Sequence, residues 1–208
     1  NLITLAEGDP QLDFNDIFMA SIKDADETVR IKSIEGLWEY EHRSLIDPLI
    51  DILRGDSSDL ARAGAAVSLG RFAMLYELGK LRQKDGDRVE ECLIAAIRNN
   101  KETIEVRRRA VEAIAPLSLP IVTDIIGEAY KNASIPMKAS ALYAMGINGD
   151  PAWLPILIRE LSNEEPEIRF EAAKACGEYE DPQALAPLLK LLKDPDTQVK
   201  ISVISALG

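Results

Sequence analysis

A basic residue recurs along the chain at nearly constant spacing, and this feature limits most strongly how the chain can fold. Successive members stand 31 or 32 residues apart, except for one step of 45 residues. The members are Arg30, Arg62, Arg107, Lys138, Arg169 and Lys200. Self-similarity at a period of about 20–50 residues is the signature of stacked repeats, in which each unit buries its apolar face against its neighbours. The sequence therefore predicts six copies of one small structural unit.

Small and apolar residues keep a fixed register around each basic residue, which we call the anchor. Apolar residues stand one position before and seven positions after the anchor, and small residues stand mostly three and six positions after it. In the fifth unit these are Ile168, Cys176, Ala172 and Ala175. The offsets lie on one stripe of an α-helix with about 3.6 residues per turn. Each anchor therefore belongs to an amphipathic helix that a neighbouring helix can approach closely.

Another apolar column lies 12 to 13 residues before each anchor and predicts a first helix in every unit. In the last three units this helix opens with Pro120, Pro151 or Pro182, where the missing N–H costs nothing. Asp150 and Asp181 directly precede two of these prolines and are predicted N-caps. No segment alternates polar and apolar residues for long, so strands are not expected. The predicted fold is all-α, an α-solenoid of about six helix-pair repeats.

The repeats predict one domain over residues 1–208, with an insertion at about 71–87 in the long step. The predicted units span about 12–40, 44–78, 88–115, 120–146, 151–177 and 182–208. The apolar first half of the insertion predicts a longer helix and its polar second half a mobile loop, which is either a binding feature or a neutral surface loop. Repeat arrays need polar caps, yet the last repeat keeps the register of an internal one. We therefore expect a longer array, or an end-to-end contact that covers the C-terminal repeat.

The anchor helices of the last two units resemble the second helix of a HEAT repeat. The matching segments are Glu-Ile-Arg-Phe-Glu-Ala-Ala-Lys-Ala-Cys-Gly at 167–177 and Gln-Val-Lys-Ile-Ser-Val-Ile-Ser-Ala-Leu-Gly at 198–208. The short period resembles the HEAT-like repeats of phycobilisome lyases, from Leu12 onward. This resemblance implies an extended surface for binding macromolecules and names no partner. The first two units depart from it, because Trp38 replaces the usual glycine and Ala61 occupies an apolar position.

Charge and composition exclude several classes of partner. The formal net charge of −11 repels nucleic acid and anionic membranes. The predicted open face of the second helices carries five positive and five negative residues, which is no track for nucleic acid. No apolar run reaches the ~18 residues of a membrane span, and the first residues lack the basic flank of a signal peptide. We expect a cytoplasmic protein, although a first residue other than Met leaves a removed leader or a longer parent protein open.

Residues for catalysis or metal binding are scarce. His42 is the single histidine and Cys92 and Cys176 are the only cysteines, which cannot make a tetrahedral N/S site. No nucleophile elbow or EF-hand loop occurs, although a carboxylate-only Mg²⁺ or Ca²⁺ site stays open. HEAT-like hydroxylases of the deoxyhypusine type carry repeated His-Glu pairs, and this sequence has none. We therefore expect no catalytic residue, no cofactor and no metal, and a protein that is not an enzyme.

The predicted function is a scaffold or adaptor that binds a protein or peptide on the open face of the second helices. Two exposed aromatic residues with a charged rim have the composition of a binding hot spot. The expected binding residues are Arg108, Arg109, Glu112, Tyr143, Phe170 and Lys174. Trp38 and Trp153 are expected in the core.

The alternative function is an enzyme or enzyme subunit of a HEAT-like family, such as a bilin lyase. A DNA glycosylase is less favoured because it needs a cationic groove. The anchors are expected to form ion pairs with acidic turn residues rather than to bind a row of phosphates.

Overall fold

The computed structural model describes residues 13–208, and this part of the chain contains twelve α-helices and no strand. The all-α prediction is confirmed. The first helices of the pairs are α1 (Asn15–Ser21), α3 (Ile46–Gly55), α5 (Gln83–Arg98), α7 (Pro120–Tyr130), α9 (Leu154–Glu160) and α11 (Pro182–Leu191). The second helices are α2 (Glu27–Gly36), α4 (Asp59–Glu77), α6 (Ile104–Ile114), α8 (Ile135–Asn148), α10 (Pro166–Tyr179) and α12 (Thr197–Leu207). Leu12, the predicted start of the first unit, lies outside the described residues.

The chain packs as two compact units, divided between Ile114 and Ala115. In the first unit α4 packs against both α2 and α6, and in the second unit α10 packs against both α8 and α12. Each unit is therefore a stack in which consecutive second helices are neighbours, as in a HEAT-type repeat. The predicted single domain, and its place in a longer array, stay predictions.

Side-chain caps begin several of these helices where the sequence places acidic residues. Asp26 accepts hydrogen bonds from the backbone N–H groups of Thr28 and Val29 at the start of α2. Asp150 caps the short 3₁₀ turn Pro151–Trp153 that leads into α9, and Asp181 caps α11. These bonds satisfy N–H groups that have no partner inside the helix. The capping side chains therefore fix where α2, α11 and the 3₁₀ turn before α9 begin.

Glycine eight positions after the anchor brings consecutive second helices into backbone contact. A Cβ atom at Gly146 would lie 3.0 Å from the Cα of Ala175, and one at Gly177 would lie 2.9 Å from the Cα of Ala206. Gly70 of the first unit stands in the same relation to Ala113, at 3.0 Å. Because a side chain has no room there, any larger residue must shift a helix or be turned outward. This position is therefore a close backbone contact between consecutive second helices.

Four of the six anchors, Arg30, Arg62, Lys138 and Arg169, join their repeat to the following one. Arg169 donates from Nη1 to the carbonyls of Asn163 and Glu164, both at 2.9 Å, and from Nε and Nη2 to the Asp194 carboxylate at 2.7 and 2.8 Å. An ion pair with a carboxylate of the following repeat also forms for Arg30–Asp56 at 2.6 Å, Arg62–Glu102 at 2.8 Å and Lys138–Glu160 at 2.9 Å. Arg107 differs, since its Nε donates to the carbonyl of Ile97 at 2.9 Å.

The Arg169–Asp194 pair is buried, with both side chains almost removed from water. The guanidinium of Arg169 holds the pKa of Asp194 below its ordinary value despite the opposing effect of burial. The carboxylate in turn raises the pKa of Arg169. A bidentate pair of this kind fixes the distance and the angle between two turns. The anchors therefore set the register of one repeat on the next.

The insertion is mostly helical, with only residues 78–82 outside a helix, whereas a mobile loop was expected over its polar half. Helix α4 runs to Glu77 and α5 already begins at Gln83. The ring of Tyr76 covers Gly86, where a Cβ atom would lie 2.2 Å from the ring, and the Tyr76 hydroxyl donates to Asp87 at 2.7 Å. This contact holds the start of α5 against the end of α4. Its physical basis, a glycine under an aromatic ring, leaves no pattern in a single sequence.

We predict that Arg169→Ala lowers the free energy of unfolding by about 1–3 kcal/mol, because it leaves the buried Asp194 carboxylate without its partner. Lys32→Ala is the matched control, since Lys32 and Glu35 form an ion pair that is about half exposed; it should change stability by less than about 0.5 kcal/mol. Urea unfolding followed by circular dichroism measures both. Equal effects of the two substitutions would contradict a structural role for the anchor.

Candidate functional site

The residues expected to bind a partner are divided between the two compact units. Arg108, Arg109 and Glu112 lie on α6 of the first unit. Tyr143 lies on α8, and Phe170 and Lys174 lie on α10, all in the second unit. The structure thus brings the six together as two groups of three. Their role in partner binding stays a prediction.

The basic residues of α6 are engaged within their own helix. Arg108 contacts Glu105 at 2.6 Å and Glu112 at 3.3 Å, and Arg109 contacts Glu105 at 3.1 Å and Glu112 at 2.9 Å. Burial opposes the charged form of Arg109, but the hydrogen bonds to Glu112 and Glu105 outweigh it and raise the pKa of the guanidinium. Two positive and two negative side chains therefore form one compensated cluster, which offers no free basic run to a phosphate.

The group in the second unit has a different arrangement. The Lys174 ammonium lies over the ring of Tyr143, with Nζ 5.0 Å from the centroid. Phe170 is half-buried, and its carbonyl accepts a hydrogen bond from Ser202 Oγ at 3.0 Å. A cation–π contact of this kind is worth about 0.5–1 kcal/mol at an exposed site. In the predicted binding site, Lys174 of the charged rim thus partly covers the Tyr143 ring of the aromatic centre.

The first unit contains an apolar groove on its second helices, which we call the Trp38 groove. Its volume is about 550 Å³. The apolar lining comprises Ile31, Ile34, Trp38, Leu60, Ala63, Gly64 and Val67, and the polar lining comprises Glu35, Ser68, Glu105 and Arg109. The Trp38 side chain is 51% exposed and Leu60 is 60% exposed. Clefts of about 300–1,000 Å³ with an apolar lining and a few polar groups are the usual form of small-molecule sites.

The prediction of a core position is wrong for Trp38, and the glycine contact between repeats explains why. Trp38 stands eight residues after the anchor Arg30, the position that glycine occupies in other units. In three other repeats a Cβ atom at this position would lie about 3 Å from the next helix, which leaves no room for an indole. Helix α2 ends at Gly36, and Trp38 lies in the turn that follows it, with an exposed ring. This ring lies under the guanidinium of Arg71, whose Cζ is 5.4 Å from the ring centroid and whose Nε donates to Glu41 at 2.9 Å. In the sequence, the tryptophan in a column that is otherwise mostly glycine is the feature that could have indicated the groove.

Trp153 is buried as expected. Its indole Nε1 donates to Asn148 Oδ1 at 3.2 Å, which satisfies the polar atom inside the second unit. The two tryptophans of the chain therefore differ in environment, one in a groove open to solvent and one in a core. This difference gives the groove an optical probe of its own.

Gly64 lies in the floor of the Trp38 groove and is not part of the tight repeat contact. A Cβ atom there would meet Ile34 Cγ2 at 3.5 Å, an ordinary van der Waals distance. A side chain at this position is therefore sterically accepted by the helix and would project into the groove. Gly64 is for this reason the position at which the groove can be filled without disturbing the stack.

The remaining reactive residues, His42, Cys92 and Cys176, have structural roles. His42 is exposed and its Nδ1 accepts from the backbone N–H of Ser44 at 3.3 Å, which caps a 3₁₀ turn. Cys92 and Cys176 are buried free thiols, and burial raises the pKa of Cys176 to about 12. Among residues 13–208, no group of three or more His, Cys, Asp or Glu side chains is placed to hold a metal ion. No helix in this range is both long enough and apolar enough to cross a membrane.

Comparison with protein families identifies the repeat. Residues 123–208 match the family model described as HEAT repeats. The complex of CpcE and CpcF of phycocyanin lyase from Nostoc has a similar fold, with a TM-score of 0.65 and 19% identity over 98% of this chain and 79% of that chain. At that identity the likeness concerns the fold alone. The prediction of a HEAT-repeat protein is confirmed.

Curated relatives found by sequence are enzymes. Deoxyhypusine hydroxylase of Rattus norvegicus is 27% identical over 111 residues, which are 52% of this chain and 37% of that protein. The enzyme of Drosophila pseudoobscura pseudoobscura is 32% identical over 117 residues, which are 55% of this chain and 39% of that protein. The chain thus spans less than two fifths of the length of these relatives. These names overturn the expectation of a binding scaffold that is not an enzyme, and they favour the enzyme alternative.

The exposure of Trp38 predicts how the two tryptophans respond to a quencher. In a Trp153→Phe protein the remaining Trp38 emission should be quenched by acrylamide several-fold more strongly than the Trp153 emission of a Trp38→Phe protein. The reason is that Trp38 is half exposed, whereas Trp153 is buried. Stern–Volmer titration of the two single-tryptophan proteins measures this directly. Equal quenching would show that Trp38 is covered and that the groove is closed in solution.

Proposed function

We propose that this HEAT-repeat chain is part of an enzyme of the deoxyhypusine hydroxylase kind and contributes the surface that holds the substrate. The observation that carries the proposal is the common name of its curated relatives, which match about half of the chain at 27–32% identity. The match leaves more than three fifths of each relative uncovered, so the activity of the whole enzyme is itself proposed here.

The residues present do not fit a metal centre of the type that the hydroxylase resemblance implies. Such enzymes carry repeated His-Glu pairs, whereas the whole chain has one histidine, in an exposed turn. Residues 13–208 also bring no three donor side chains into a cluster that could hold a metal ion. No step of the reaction is therefore derived through a metal on these residues. Binding and orientation of the substrate are the tasks that their geometry supports.

The Trp38 groove is the described surface that suits a long side chain. Deoxyhypusine is a lysine whose side-chain nitrogen carries a further chain of methylene groups that ends in an amine. Its methylene groups are apolar and its amine nitrogens are cationic. The groove offers an apolar floor at Ile31, Leu60 and Val67, which removes methylene groups from water. The indole of Trp38, which already holds the Arg71 guanidinium, shows that this ring accepts a cation. Glu35 supplies a carboxylate at the rim, where a cationic ligand would compete with its ion pair to Lys32.

We also infer a cytoplasmic location for the chain. Both cysteines are free and buried. Reduced thiols persist in compartments that glutathione and thioredoxin keep reducing, whereas disulfides accumulate outside them. The free thiols support a reducing compartment, and fractionation of the native host with an antibody against the chain would test it.

Binding of modified and unmodified peptides tests the proposed function. The Trp153→Phe protein should bind a peptide that contains deoxyhypusine on the order of tenfold more tightly than the same peptide with lysine, a difference of about 1.4 kcal/mol. The reason is the additional methylene surface and the amine that only the modified peptide presents to the groove. Titration followed by Trp38 fluorescence gives both dissociation constants.

Two variants locate this binding. Gly64→Leu fills the groove and should weaken the modified peptide about tenfold or more, whereas Leu189→Ala removes an exposed apolar side chain of α11 in the other unit and should leave affinity unchanged. Equal affinity for the two peptides would contradict the proposal. A linear tetrapyrrole that binds while neither peptide does would contradict it as well and would favour a bilin lyase subunit.

A further inference from the structure

We propose that Arg71 is a positioning residue of the Trp38 groove, which holds the indole ring in place as a wall of the groove. Arg71 lies on α4, and Trp38 lies in the turn after α2, so the contact joins two elements of the first unit. Arg71 does not itself line the groove. The proposal rests on the function proposed above for the identity of the ligand, but the order of the ring is measured without a ligand.

The Trp38 ring has little support from its own segment of the chain. Helix α2 ends two residues earlier, at Gly36, and the ring is half exposed, whereas the neighbouring Leu37 is buried. An exposed side chain normally changes rotamer within picoseconds to nanoseconds. A wall made of such a ring would have to be ordered each time a ligand binds, and this ordering would weaken binding.

Arg71 contacts this segment at three points. Its Cζ lies 5.4 Å from the centroid of the Trp38 ring. Its Nη1 donates to the backbone carbonyl of Trp38, and its Nε donates to the Glu41 carboxylate at 2.9 Å. A guanidinium is planar and presents its donors in a rigid fork, so the bonds that fix the group also fix the plane that it offers to the ring. One side chain thus holds the backbone of Trp38, its ring and a later residue of the turn together.

Helix α4 gives Arg71 a rigid base. The next two residues, Phe72 and Ala73, are buried. The preceding residue, Gly70, makes the close backbone contact with Ala113 of α6. The backbone of Arg71 is therefore fixed by packing on both sides, while its side chain is partly exposed and reaches the turn. The stacking of α4 on α6 thus also determines where the guanidinium lies.

An ordinary surface ion pair would not carry this proposal, because exposed pairs contribute little to stability. Arg88 and Asp47 form such a pair in the same unit, and both side chains are exposed. Arg71 differs from Arg88 because its guanidinium also lies over an aromatic ring and donates to the backbone carbonyl of the same residue. Arg88→Ala is therefore a matched control, since it removes an arginine and its ion pair on another helix.

The mobility of the Trp38 ring tests the proposal without a ligand. Time-resolved fluorescence anisotropy of the Trp153→Phe protein reports on Trp38 alone. In this background Arg71→Ala should increase the amplitude of the sub-nanosecond decay roughly twofold or more, because the ring is then free to change rotamer. Arg71→Lys should give an intermediate amplitude, since an ammonium can lie over the ring but lacks the planar fork. Arg88→Ala should leave the amplitude unchanged.

Binding of the deoxyhypusine peptide tests the consequence for the groove. Arg71→Ala should weaken binding roughly two- to tenfold, which is the effect of ordering one mobile side chain, whereas Arg88→Ala should keep the affinity of the parent. Loss of the positive charge alone would act in the opposite direction, because it removes repulsion of a cationic ligand. Weaker binding therefore identifies positioning rather than charge. The helical circular-dichroism signal is measured for each variant, and Arg71→Lys serves for the comparison if Arg71→Ala does not fold.

Two outcomes would overturn the proposal. One is a folded Arg71→Ala protein whose Trp38 ring is no more mobile than that of the parent. The other is a more mobile ring together with unchanged or tighter peptide binding, which would show that the groove needs no fixed wall. If the peptide does not bind even the parent protein, the function proposed above fails, and the mobility of the ring alone decides the role of Arg71.

Discussion

The buried pair between a basic anchor and a carboxylate of the following repeat is the interaction on which the stacking depends. Helix faces made of alanine, leucine and isoleucine pack in many registers, because dispersion and hydrophobic burial have little direction. A bidentate pair such as Arg169–Asp194 has one geometry, and loss of either partner leaves a charge inside the protein. The carbonyl contacts of Arg169 to its own turn extend this constraint along the chain. The apolar faces thus supply the attraction, and the anchors select the register.

The glycine contact explains why the candidate site lies where it does. Close approach of second helices leaves no room for a side chain eight residues after the anchor, as Gly70 shows in the first unit. Trp38 occupies the same column one repeat earlier, but α2 has already ended at Gly36, and the exposed ring becomes a wall of the groove. Arg71 covers one side of that ring. A single departure from the repeat pattern thereby converts a packing position into a surface that can bind.

Periodicity in the sequence predicts the helix pairs and the anchors well, because both rest on local spacing. It fails where the outcome depends on side-chain contacts that the repeat columns do not record. The order of the polar insertion depends on Tyr76 lying over Gly86, and the compensation of Arg108 and Arg109 depends on their rotamers. The division at Ile114 is also not marked in the repeat columns.

The expectation of a binding scaffold was wrong for a different reason. A repeat that stacks in the same way in binding proteins and in enzymes does not encode its task in its packing residues.

Methyl NMR tests most directly the proposed binding of a deoxyhypusine side chain in the Trp38 groove of the first unit. Addition of the deoxyhypusine peptide to a methyl-labelled protein should shift the resonances of Ile31, Leu60 and Val67, which line the groove. The methyl groups of Leu185 and Leu189 in the second unit should stay in place. Shifts confined to the second unit, or no shifts at saturating peptide, would contradict the account.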